Sequence, residues 1–143
     1  MSTSKLENEA LKVIELGQTD TANSTALYVP GIDLVFSGDA VYNETHPYLA
    51  ESNASSRLEW TRALDVIEAL HPKAVVTGHG VLEPDSSPRH IEATRRYLHD
   101  FDACVIETST AEELYEKMLS LYPEWVNPGS LWAASKVAKP AQG

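Results

Sequence analysis

Asp33-Leu34-Val35-Phe36-Ser37-Gly38-Asp39 and Ala74-Val75-Val76-Thr77-Gly78-His79-Gly80 decide how the chain is read. Each is a short run of apolar and β-branched side chains that stops at glycine, the pattern of a strand delivered to a tight tip. Leu34-Val35-Phe36 is apolar at consecutive positions, which predicts an interior strand with both faces covered. Each tip then carries one side chain able to hold a proton or a metal, Asp39 in the first and His79 in the second. Upstream, Ala10 to Leu16 alternates loosely and stops at Gly17-Gln18-Thr19-Asp20, and Thr25 to Val29 stops at Pro30-Gly31. Three short strands in succession, joined by tight connectors, predict antiparallel neighbours.

Downstream the period changes. Between Arg57 and Leu70 the apolar residues fall at 60, 63, 64, 67 and 70, one face of a helix that His71-Pro72 ends. Ser87-Pro88 has the form of a capped start with proline at the first helical position, and Ile91, Tyr97, Leu98, Phe101 and Val105 supply an inward stripe. Thr110-Ala111-Glu112-Glu113 reads as a capping box opening a helix to Tyr122, and Asn127-Pro128 opens a last one through Ala138. Residues 1–143 are expected to form a single domain, with the tail 139–143 frayed.

Composition narrows the function classes. Apolar residues make up 43 % and charged residues 22 %, the mix of a folded globular chain. A net charge of −10 repels a phosphate backbone, so nucleic acid is not expected as a partner. No apolar run reaches the length of a bilayer, and the N-terminus has no secretory pattern, so the expectation is no membrane and a cytoplasmic protein. The single cysteine, Cys104, excludes an internal disulfide and a four-thiolate zinc knot. Ser24 and Ser37 have no His–Asp partner pattern, which argues against a serine hydrolase.

In their order the three tips resemble the C-terminal half of the metallo-β-lactamase superfamily, in which a two-metal site is read from an opening His-x-His-x-Asp-His cluster, a Gly-His-Thr, a Gly-Asp and a late Gly-His-Gly. The counterparts here are Gly17-Gln18-Thr19, Gly38-Asp39 and Gly78-His79-Gly80, and the matching stretch runs from about Leu11 to Leu98. The resemblance implies an α/β fold, half of an αββα sandwich, with one mixed or antiparallel sheet and outer helices. It implies that Asp39 stands where the metal-bridging carboxylate stands and His79 where the last imidazole of the second metal stands. Gln18 takes the place of a first-metal histidine, and His46 and Tyr42, close after Asp39, resemble a loop that lines the substrate pocket.

Two departures bear on function. A glutamine amide is a poor zinc ligand beside imidazole, thiolate or carboxylate. No His-x-His-x-Asp-His occurs in the 143 residues, and His71, His90 and His99 are scattered. The resemblance therefore implies a hydrolase domain with an incomplete dinuclear Zn²⁺ site, inactive alone and catalytic only if a partner supplies the histidine cluster. The alternative is a non-catalytic dimeric fold or binding module, so whether the chain is an enzyme stays open. Half a sandwich also leaves a sheet face to be covered, with Leu27, Val29, Leu34, Phe36 and Val75 as its candidates. A homodimer or a complementary N-terminal half would cover it.

Overall fold

Alternation from Val13 to Gly17 buries Ile14 and Leu16 and leaves their neighbours exposed, which sets one face of a sheet inward. In the computed structural model, which describes residues 2–6, 9–80 and 85–141, five strands form one sheet: β1 (Ser2–Leu6), β2 (Glu9–Gly17), β3 (Ser24–Val29), β4 (Leu34–Asn43) and β5 (Ala74–Gly80). They lie in the order β1-β2-β3-β4-β5. The first four are antiparallel neighbours, and β5 runs parallel to β4. A parallel pair needs a long crossover, here helix α1 (Ala54–Glu68), and α2 (Arg89–Glu107), α3 (Ala111–Leu121) and α4 (Pro128–Ala138) follow. The last two residues of the expected frayed tail, 142 and 143, lie outside the described residues.

One face of the sheet is packed. Ile14, Leu16, Ala26, Val35 and Val75 join Trp60, Leu64 and Ile67 of α1 and Ile91, Leu98 and Phe101 of α2 in a single core. Trp60 is fully buried and satisfies its indole N–H on the Ala40 carbonyl at 2.8 Å, tying α1 to β4. Asn53 starts α1 with a reciprocal capping box to Ser56, and Thr110 accepts the Glu113 amide at the start of α3. Ser87 Oγ accepts the Arg89 amide at 3.2 Å, but α2 begins at Arg89 with Pro88 as its cap residue, so the expected start at Ser87-Pro88 lies one residue early.

Among the described residues, no helix packs on the opposite face. Val13, Leu27, Phe36 and Val76 stand side by side across four strands, and Val29, Leu34 and Ala74 form the next row. Val13 and Phe36 are 36 % and 42 % exposed. The sequence reading is corrected at Val75, whose place on this face is taken by Val76. The parallel register sets Val75 against Val35, both fully buried under the helices. No helix among the described residues is long and apolar enough to cross a membrane.

Candidate functional site

Strand direction brings the three tips to one sheet edge. β2 and β4 are both antiparallel to β3, so they point the same way, and β5 is parallel to β4. The C-terminal ends of β2, β4 and β5 therefore share an edge. They deliver the segment from Gly17 to Asp20, the pair Gly38-Asp39 and the segment from Gly78 to Gly80. β4 reaches this edge through a bulge at Gly38, where φ is +56° and the register with β5 shifts. Such a bulge re-aims a side chain, and here it turns Asp39 out to solvent.

Close backbone approach fixes the second contact. A Cβ built on Gly78 would lie 2.6 Å from Asp39 Oδ1 and 3.0 Å from the Gly38 carbonyl, so only glycine fits between the two strands. The next residue then sets its imidazole against the carboxylate, with His79 Nε2 3.0 Å from Asp39 Oδ1 and both side chains about half exposed. The Tyr42 ring stacks on the His79 ring, with centroids 5.5 Å apart and planes within 15°.

The first tip enters this cluster through a residue that the sequence reading passed over. Asp20 is 6 % exposed, accepts from Thr19 Oγ1 at 3.0 Å, and accepts from the Tyr42 hydroxyl at 3.3 Å. Burial raises its pKa and the Asp39 charge adds to the rise, while the bonds from Thr19, the Thr21 amide and Tyr42 oppose it. Burial likewise raises the Tyr42 phenol, with the Asp20 and Asp39 charges adding, so Tyr42 is a donor throughout the physiological range. Gln18, by contrast, turns its amide back onto its own tip, donating from Nε2 to the Thr19 carbonyl at 3.1 Å. A polar residue in a turn gives no sequence signal of burial, which is why Asp20 escaped notice.

His46 lies deeper than its loop position suggests. It is fully buried, Nδ1 meets the Tyr97 hydroxyl at 2.7 Å, and Nε2 has no hydrogen-bond partner among the described residues. Tyr97 and Trp125 surround it, and burial pushes its pKa down to about 4. Tyr42 itself is 3 % exposed. Two cavities, of about 910 and 390 Å³, open on either side of Trp132 between α3 and α4, and neither is lined by His46, Tyr42 or a tip residue.

A neighbouring polar seam anchors the chain beyond β5. Asp85 accepts from the Ser87 amide, Arg89 and His90 Nε2, and these bonds hold its carboxyl down at about 2. Its carbonyl accepts from Asn43 Nδ2 at 2.8 Å. Asp39 and His79 are of the types zinc takes, but a catalytic zinc uses three protein ligands. Among the described residues no group of three or more His, Cys, Asp or Glu side chains is placed to hold a metal.

Comparison with known proteins bears on the family and the fold. Residues 4–79 match the family model described as "Metallo-beta-lactamase superfamily". No match was found among curated proteins. Among solved structures, the chain is similar to a metallo-beta-lactamase family protein from Thermus thermophilus, with a TM-score of 0.66 and 18 % identity over 96 % of this chain and 45 % of that one. It is also similar to a metallo-beta-lactamase from Pontibacter korlensis, with a TM-score of 0.59 and 21 % identity over 69 % of this chain and 46 % of that one. The chain thus spans less than half the length of either, and the likeness is one of fold.

Proposed function

Because the chain belongs to the metallo-beta-lactamase superfamily, we propose that residues 1–143 act as the C-terminal half of a hydrolase domain, with an incomplete dinuclear zinc site that becomes catalytic only when a partner supplies the missing histidine cluster. In a completed site Asp39 would supply a carboxylate, His79 an imidazole, and Gln18 a weak carbonyl donor in place of a histidine. The observation that carries this reading is the 3.0 Å meeting of His79 and Asp39 on the edge where the first tip also ends. Two good donors do not fit a catalytic zinc ion, so the chain alone grips zinc feebly and lacks the cage that would acidify a bound water. His46 and Tyr42 line the completed pocket in this reading. The apolar, helix-free sheet face favours a second reading, a non-catalytic dimeric fold or binding module.

Calorimetric titration of Zn²⁺ into the full chain tests the first reading. Weak binding is expected, lost in Asp39→Ala and strengthened at least about tenfold in Gln18→His, since an added imidazole supplies a third good ligand. Binding that ignores both substitutions would overturn it. Adding a separately produced half that carries the histidine cluster should then restore tight zinc binding.

A further inference from the structure

Between the first tip and His79 runs an unbroken line of contacts that the metal-ligand pattern does not require. Thr19 Oγ1 bridges Ser24 Oγ at 2.6 Å and Asp20 Oδ1 at 3.0 Å, fixing the Asp20 carboxylate within its turn. The other oxygen, Oδ2, accepts from the Tyr42 hydroxyl, and the Tyr42 ring lies flat against the His79 imidazole, which meets Asp39. Tyr42 is nearly fully buried whereas His79 is about 60 % exposed. The ring is thus the rigid partner and the imidazole the one that needs holding.

We infer that Asp20 is a positioning residue: through the Tyr42 hydroxyl it sets the ring against which the His79 imidazole is stacked, so that the first tip contributes Asp20 to the site where Gln18 contributes little. A tyrosine ring pivots about two side-chain torsions, and a hydrogen bond at its far end removes the freedom to swing away from the histidine. The burial of a carboxylate costs free energy unless it is hydrogen-bonded, and two side-chain donors offset that cost here, the Thr19 and Tyr42 hydroxyls. A carboxylate that merely stabilised its own turn would need only the first. This inference rests on the reading of the sheet edge as a remnant site, but its test uses the metal-free chain and stands apart from the zinc titration.

Imidazole ¹H–¹³C correlation spectra of the histidine-labelled full chain, with His79 assigned by His79→Gln, provide that test. The His79 ring protons are expected upfield of those of the exposed His71 and His99, from the ring current of Tyr42. Tyr42→Phe, which keeps the ring and removes the hydroxyl, should erase most of that displacement, and Asp20→Ala should do the same. The double variant should show no further change, because both substitutions cut one path. A His79 signal unmoved by Tyr42→Phe, or additive effects in the double variant, would overturn the inference. If Asp20→Ala fails to fold, Tyr42→Phe alone decides, since deleting one hydroxyl cuts the tether without emptying the core.

Discussion

At the scale of single residues, the site edge depends on what is absent from Gly78 as much as on what Asp39 and His79 carry. A methyl group there would overlap the Asp39 carboxylate and the Gly38 backbone. Gly78→Ala should therefore cost about 1–3 kcal/mol, the usual penalty for overpacking a close contact. Gly129 has nothing nearer than 3.9 Å, and Gly129→Ala should be neutral or slightly stabilising. Thermal unfolding of the two variants side by side checks both signs. His46 yields a pH prediction. Its pKa lies near 4 in the folded chain against an ordinary value of 6.5, so between these values the unfolded state binds the extra proton. Stability is full above about pH 6.5 and falls as the pH drops towards 4, by at most about 3 kcal/mol from this residue. In His46→Phe the melting temperature should decline less steeply across that window, and an unchanged pH profile would refute the assignment. Asp39 and His79 could be read from the sequence because glycines mark tips and few residue types bind metals. Asp20 could not, because nothing local tells a buried turn carboxylate from a solvated one.

At the scale of elements, the alternating and helical patterns located β2, β3, β5 and all four helices within a few residues, since period and caps are local properties. β4 was legible only to Ser37, where the run stops at Gly38. Its continuation to Asn43 crosses the Gly38 bulge, where alternation breaks and Ala40, Val41, Tyr42 and Asn43 are all buried in succession. β1 is polar in sequence and owes its strand form to pairing with β2. The face of Val75 was misread because parallel register follows from the α1 crossover, a tertiary fact. The β4 extension is held against α2 by one hydroxyl: Thr94 Oγ1 accepts the Tyr42 amide at 3.1 Å and also lies near the Tyr42 and His90 carbonyls. Thr94→Val keeps the shape and strands a buried N–H, so it should destabilise the chain by about 1–3 kcal/mol. Thr94→Ser retains the oxygen and should recover most of the loss. Chemical denaturation of both variants checks the pair, and equal destabilisation would show that the methyl group rather than the hydroxyl matters.

At the scale of the whole molecule, the sheet is covered on one face and bare on the other. The need for a cover could be read from the apolar strands, and so could Leu27, Val29, Leu34 and Phe36 as its residues, with Val75 alone assigned to the wrong face. On the bare face Glu15, paired with Thr25, brings a charge, and it lies towards the tip edge. Beyond it the rows Val13–Leu27–Phe36–Val76 and Val29–Leu34–Ala74 are wholly apolar. A net charge of −10 opposes association through most other surfaces, yet these rows carry no charge to repel a partner. The chain alone should therefore self-associate through the bare face, with a light-scattering mass above its 15.7 kDa monomer that rises with concentration. Phe36→Asp places a carboxylate on a partly exposed position outside the buried core, so the fold should survive while the mass drops to that of the monomer. A complementary half carrying its own apolar sheet face should compete for the same surface and dissolve the self-association in unsubstituted chain, but should fail to bind Phe36→Asp. A chain that stays monomeric at every concentration and ignores the complement would mean that this face is covered by neither.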